Sequence, residues 1–467
     1  MSLHLLQLLL LLLTSQSQAI HHPIKNYDTA TKLFHQWIQT SSIPGNYLTI
    51  EERNNKTTHP GDLNNHVIFS KESLRSGQSV GGWPHTEPNH IYNNKNNKEL
   101  EISRKAIAFH LQKGISRLQD TILMKLKQVE DSPDKLTQVL TLGRRAIRSF
   151  ESFWKQVTWT FDYGKKQIEW TNKRQPGKGV WKEYGPETNF WLKFRPTLTC
   201  SETFRMGPEI GGAKTWCNAE SLSPKVVLSA GSGDDFLYEH LVAEKWPGVT
   251  IVTTDCYQFD QASELLPFEA AMRTNENVST SHIIVLPVCL TGGENTTRKK
   301  YIQLAPSHLH SKFVSFSNML QQLKTIVQAD TTGRLTQDYF DLIKCNIEAS
   351  EYPLFADVFR NVDENLKGTK QINMEMHRMG MHTKGKNFNS LIFMNLLFSH
   401  FYSGGFHPVF TEKWHDQHAA QDVVWVNQTS WIESELEMST NIWNDGKEEK
   451  IEKIEKEKKK IKKVKEV

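Results

Sequence analysis

The segment that most narrows what this chain can fold into runs from Val226 to Asp255. A short apolar run, Val226-Val-Leu-Ser-Ala230, is followed by Gly231-Ser-Gly233, then by a helical pattern, then by Val249-Thr-Ile-Val-Thr-Thr254 ending on Asp255. Strand, glycine turn, helix and strand in that order make a parallel βαβ unit, which must be covered on both faces. Further runs extend the pattern: His282 to Leu286, Phe340 to Cys345 and Ile372 to Met376, with helical spacing between them. The alternation predicts an α/β domain with a mostly parallel sheet and helices on both sides. Gly405 to Phe410 and Asp422 to Val426 are expected to form an antiparallel pair closing one edge.

The same unit points to a ligand. Glycines after a first parallel strand let backbone approach a bound molecule, and an acid ending the next strand accepts hydrogen bonds from ribose hydroxyls. Gly231, Gly233 and Asp255 are therefore the expected cofactor residues. Phe236 stands where a dinucleotide fingerprint has its third glycine, which disfavours a pyrophosphate-containing cofactor and leaves S-adenosylmethionine as the better fit. Ligands in open α/β sheets sit at the carboxyl ends of strands. That places Asn346 and Glu348, after the 340–345 run, and Glu375 and His377, at the end of the 372–376 run, toward the cleft. Asn346 is assigned to the cofactor. Glu348, Glu375 and His377 are the candidate catalytic groups, because a neutral imidazole or a carboxylate can take the proton of a hydroxyl acceptor.

The remaining organisation is read from composition. Residues 1–19 carry the leucine run Leu8 to Leu13 and end on small residues, as a signal peptide does; the stretch lacks Lys and Arg, so an uncleaved membrane anchor is the alternative. No other segment is apolar enough to span a bilayer. Asn55, Asn277, Asn295 and Asn427 head glycosylation sequons, in keeping with a lumenal or secreted glycoprotein. Residues 20–99 are Asn-rich and expected to be irregular. From 100 to 155 a helical hairpin is expected: Ile107, Leu111, Ile115, Leu118, Ile122, Leu126 and Val129 line one helix face, and Ser132-Pro133 opens a second helix toward Phe153. An aromatic, loop-rich connector is expected over 156–198, the main domain over 199–440 and a solvated charged tail over 441–467. Residues 447–467 hold 10 Lys and 6 Glu, so the net charge of +4 leaves 46 basic and 46 acidic residues elsewhere. A neutral body without a basic, aromatic-interleaved stripe argues against a nucleic-acid partner. Of five cysteines, Cys200 and Cys217 bracket a Gly-rich turn and are expected to pair; Cys256, Cys289 and Cys345 lie in apolar runs and are expected to be free and buried. No Cys-x-x-Cys spacing indicates a metal site.

Three ordered motifs carry a family resemblance over about Thr199 to Phe410. They are Cys200-Ser-Glu-Thr-Phe-Arg205-Met-Gly207 with Gly211-Gly-Ala-Lys214-Thr-Trp216-Cys217, then Lys344-Cys-Asn346-Ile-Glu348-Ala349-Ser-Glu351, then Met374-Glu375-Met-His377. In these the chain resembles the methyltransferase-like domains related to FkbM-type methyltransferases, in their secretory-pathway branch. The resemblance implies a class I methyltransferase fold with a seven-stranded sheet and methyl transfer from S-adenosylmethionine to a hydroxyl of a small-molecule or glycan acceptor. The chain departs from the family's pattern where Asn346 replaces an Asp, Ala349 replaces a Gly, and Ser229 stands near the place of an acid before the glycines. Those departures support a second expectation, a catalytically inactive fold that binds a ligand or partner.

Overall fold

The structure is a computed structural model that describes residues 24, 26–43, 97–174, 194–207, 213–232, 236–255, 282–286, 288–290, 312–329, 337–347, 351–377, 388–413 and 420–439. The expected signal segment and charged tail lie outside these residues. So do Gly233, Glu348, Ala349 and Cys256, the sequons at Asn55, Asn277 and Asn295, and the side chain of His377.

Eleven strands are described: β1 (Thr203–Met206), β2 (Lys214–Cys217), β3 (Val226–Ala230), β4 (Thr250–Thr254), β5 (His282–Leu286), β6 (Val288–Leu290), β7 (Lys312–Val314), β8 (Leu342–Cys345), β9 (Gln371–His377), β10 (Phe406–Lys413) and β11 (Ala420–Asn427). Seven form one sheet in the order β10-β11-β9-β8-β3-β4-β5. β5, β4, β3, β8 and β9 run parallel, while β11 is antiparallel to both β9 and β10. Each expected strand of the sheet is present, including the antiparallel closing pair. Pro408 sits on the edge strand β10 at a bulge, where its missing N–H costs no ladder bond. β1 and β2 form a separate antiparallel hairpin, and β6 and β7 a short parallel pair.

The central strands are buried on both faces, as parallel strands should be. One face carries Leu228, Ala230, Val252, Ile343, Cys345, Ile372, Met374 and Trp425 into the main core. That core is covered by α5 (Phe316–Ala329), α6 (Glu351–Val358) and α7 (Phe388–Ser403), and Phe401 of α7 stacks on Trp425 at 4.2 Å between ring centroids. The other face packs Val227, Ile251 and Leu342 against α4 (Leu237–Lys245), Trp216 and Trp246.

Three N-terminal helices lie against the first of these layers: α1 (Tyr27–Thr40), α2 (Asn97–Gln128) and α3 (Pro133–Arg174). Ile107, Leu111, Leu118, Ile122 and Leu126 of the α2 stripe are buried, and Pro133 takes the first position of α3. Two expectations are corrected here. The arm expected to be irregular contains α1, capped by the Asn26 side chain accepting from Thr29 N at 3.0 Å. Its apolar positions Ala30 and Phe34 are buried on the hairpin, a periodicity too short to stand out in Asn-rich surroundings. α3 continues to Arg174, well beyond Phe153. Of the aromatic residues read as loop-forming, Trp159, Phe161, Tyr163 and Trp170 lie in that helix, with Phe161 buried and Trp159 stacked on Tyr163, because tertiary packing overrides the weak helix propensity of aromatic residues.

Among the described residues no helix is long and apolar enough to cross a membrane. The last helix among the described residues, α8 (428–439), begins at the fourth sequon: the Asn427 carboxamide oxygen accepts from Thr429 N at 3.0 Å, and Thr429 Oγ1 lies 3.3 Å from Thr121 Oγ1 of α2. Cys200 and Cys217 form a disulfide with a Cα–Cα distance of 5.5 Å. The expectation of three free thiols is corrected, because Cys289 is also disulfide-bonded; Cys345 is free and buried.

Candidate functional site

The strand order reverses at β3. The chain proceeds from β3 to β4 and β5 on one side, then returns to build β8 and β9 on the other. A crevice at the carboxyl ends of strands forms where neighbouring connections diverge, and Gly231 stands at that point. Its N–H donates to Thr254 O at 2.8 Å, and Asn346 N donates to Ala230 O at 2.9 Å, so the turn is tied to the ends of both flanking strands. Gly231 has φ +79°, and a Cβ there would lie 1.6 Å from Asn346 O, so only glycine fits. Asp255, buried, continues directly from β4. Thus Gly231, Asp255 and Asn346 come together at three adjacent strand ends. Two buried polar atoms here, Ser232 Oγ and Asn346 Oδ1, have no hydrogen-bond partner among the described residues. Buried polar groups are normally paired, so these two atoms stand out as candidates for contact with a ligand.

Beneath the turn, one face of the sheet carries a polar row that sequence reading did not anticipate. Register places Thr253, Ser229, Lys344 and Asn373 side by side on β4, β3, β8 and β9, all buried. Ser229 Oγ donates to Glu239 Oε1 of α4. A carboxylate thus reaches the strand from the helix that packs over it. Lys344 Nζ donates to Gly231 O at 2.6 Å and lies 5.5 Å from the Tyr238 ring centroid. Burial lowers the Lys344 pKa, Glu239 and Asp255 act to raise it, and Lys214 adds a further lowering. The available sequence signal was a lysine inside a strand destined for burial on both faces. Glu239 had none, because its partner is ten residues away across a turn.

The β1–β2 hairpin lies across the same face. Gln371 brackets Cys217 through both its amide atoms, accepting from Cys217 N at 3.0 Å and donating to Cys217 O at 2.6 Å, while Asn373 Nδ2 donates to Thr215 O at 2.7 Å. Two residues further along β9, Glu375 meets Lys214, whose Nζ donates to Glu375 Oε2 at 3.3 Å and to Asp422 Oδ1 of β11 at 2.7 Å. The carboxylates of Asp422 and Glu375 hold Lys214 charged, raising its pKa against the opposing effect of burial. Glu375, read as a candidate catalytic carboxylate, is thus an ion-pair partner. Its neighbours Lys214 and Asp422 were not singled out as site residues. β9 ends at His377.

No protein-family model and no curated protein matches this sequence. Among solved structures, one match is the methyltransferase domain of bacterial CtHen1-C, 11% identical, with 44% of this chain and 91% of that chain covered and a TM-score of 0.24. Another is EvdMO1, 13% identical, with 45% of this chain and 40% of that chain covered and a TM-score of 0.23. The fold is that of a class I methyltransferase. Its sheet carries five parallel strands with β3 central, and β11 inserted antiparallel between β9 and β10.

Proposed function

We propose that this protein is an S-adenosylmethionine-dependent methyltransferase of the FkbM-related secretory-pathway branch, acting on a hydroxyl of a small-molecule or glycan acceptor. The observation that carries the reading is the Gly231 turn, tied through Thr254 O and Asn346 N to the ends of β4 and β8 where the strand order reverses. Asp255 would hold the ribose hydroxyls, Gly231 and Gly233 would let backbone approach the ligand, and Ser232 and Asn346 would offer it polar side chains. When bound, the cofactor supplies a methyl group already activated on a sulfonium. What the protein adds is in-line positioning and exclusion of water. Glu348 and His377 are the groups assigned to orient or deprotonate the acceptor, with Glu375 shaping the acceptor side through its pairing with Lys214. The Cys200–Cys217 disulfide fits an oxidising compartment, in keeping with a lumenal or secreted protein.

Calorimetry with S-adenosylmethionine and its demethylated product tests the proposal. Asp255→Ala is expected to weaken binding about ten- to a hundred-fold, since charge-assisted hydrogen bonds contribute about 1.5–3 kcal/mol. Gly233→Val acts similarly by steric exclusion, and Asn346→Asp leaves affinity unchanged or improved. A wild-type protein that binds neither compound at millimolar concentration ends this reading. The engagement of Glu375 by Lys214 favours a second one, a fold that binds ligand without transferring a methyl group. Cofactor binding without turnover on any hydroxyl acceptor would select it.

A further inference from the structure

Lys344 is placed at the crevice but belongs to no role assigned so far. Its side chain rises from β8 to the carbonyl of the glycine turn, donating to Gly231 O at 2.6 Å, and the residue is 3% exposed. Among the described residues that carbonyl is the only hydrogen-bond acceptor of its ammonium group. The neighbouring charges are mixed: Glu239 from α4 and Asp255 from the end of β4 attract it, and Lys214 repels it. Charges removed from water act on one another and on a bound ligand with little screening. The two candidate ligands differ in charge, since the methyl donor is a sulfonium and its demethylated product is a neutral thioether.

We propose that Lys344 is a positioning and specificity-determining residue of the cofactor site, holding the Gly231 turn in place while its positive charge, set against Glu239 and Asp255, limits the preference for the sulfonium over the thioether. The inference rests on the methyltransferase reading and deepens it. Two consequences separate a charge role from a bracing role. Loss of the brace weakens both ligands alike, because each meets the same turn. Loss of the charge leaves Glu239 and Asp255 less opposed, and so favours the sulfonium alone. Removing the Glu239 charge must act in the opposite sense, and Glu239→Gln does so while keeping an oxygen to accept from Ser229 Oγ.

The experiment measures dissociation constants for S-adenosylmethionine and the demethylated thioether on the full, disulfide-intact chain, as wild type, Lys344→Met and Glu239→Gln, with thermal melts confirming that each is folded. Lys344→Met is expected to lose about tenfold or more in thioether affinity and less in sulfonium affinity, raising the sulfonium-to-thioether preference about threefold or more. Glu239→Gln is expected to lower that preference by a similar factor. An unmoved preference in folded Lys344→Met overturns the inference, even if both affinities fall. If Lys344→Met does not fold, an unmoved preference in Glu239→Gln overturns it instead. Wild-type protein that binds neither ligand overturns the methyltransferase reading and this inference with it, whereas wild-type binding with an unmoved preference overturns only the role of Lys344.

Discussion

Three histidines show how single residues set the conditions under which this fold persists. His110 and His400 meet as tilted rings at 3.9 Å between α2 and α7, and His407 packs edge-on against Phe150 at 4.8 Å. Burial, with Lys113 adding to it, pushes His110 down to about 3; burial, opposed by a bond to Gln428, pushes His407 down to about 4; His400 lies well below its usual value, mainly through burial. An unfolded chain takes up these protons near pH 6.5, so between that pH and the folded values the unfolded state binds more protons and stability falls as pH falls. For His407 the loss begins below about pH 6.5 and reaches about 2 kcal/mol at pH 5. His407→Phe, which cannot titrate, should retain about that much more stability on acidification from pH 7 to 5, measured by urea unfolding at each pH. Parallel pH profiles for the variant and the wild type would count against this account.

At the scale of elements, the β1–β2 hairpin is held by groups of several kinds. The disulfide closes it, Gln371 and Asn373 bind its backbone, and Lys214 pairs with two carboxylates at its end. Glu435 of α8 holds its entry by accepting from Ser201 N at 2.8 Å, Ser201 Oγ at 2.9 Å and Asn218 Nδ2 at 2.9 Å. The ion pair is where a single change costs most. Lys214→Met removes the ammonium group that the buried carboxylates of Glu375 and Asp422 share, and breaking a buried pair in this way costs about 3–5 kcal/mol. The expected result is a large drop in the denaturant midpoint, partly recovered when Glu375→Gln and Asp422→Asn are added. A loss below about 1 kcal/mol would show that the hairpin is held by the disulfide and the amide contacts instead.

At the scale of the molecule, the N-terminal helices are not a detached appendage. α2 packs along α7, which is itself buried against the sheet, and Gly114 sets how closely they approach. A Cβ at Gly114 would meet Tyr402 O at 2.3 Å and Phe150 Cε1 at 2.8 Å. Backbone on one side and a core ring on the other leave no room to yield, so Gly114→Ala must push α2 away from α7. Overpacking of this kind costs about 1–3 kcal/mol. Because α7 also carries Phe401 against Trp425, the expected outcome is one cooperative unfolding transition at lower temperature by calorimetry. An unchanged midpoint, or early melting of the helices alone, would show that the helical layer and the sheet are energetically separate.

Local pattern alone determined the strands of the sheet, the glycine turn, the position of Asp255, the α2 stripe and the Cys200–Cys217 pair. Each of these rests on neighbours in sequence, where period, turn chemistry and spacing act directly. The length of α3 and the presence of α1 were hidden because aromatic and Asn-rich composition masks helical period, and only burial against other helices settles them. Lys344 with Gly231, Ser229 with Glu239, and Lys214 with Glu375 and Asp422 were decided by the tertiary structure alone. The register of parallel strands and the docking of a hairpin bring charges together from up to 208 residues apart. No local rule encodes such pairings, because they stabilise nothing until the sheet has closed and water has left the face on which they meet.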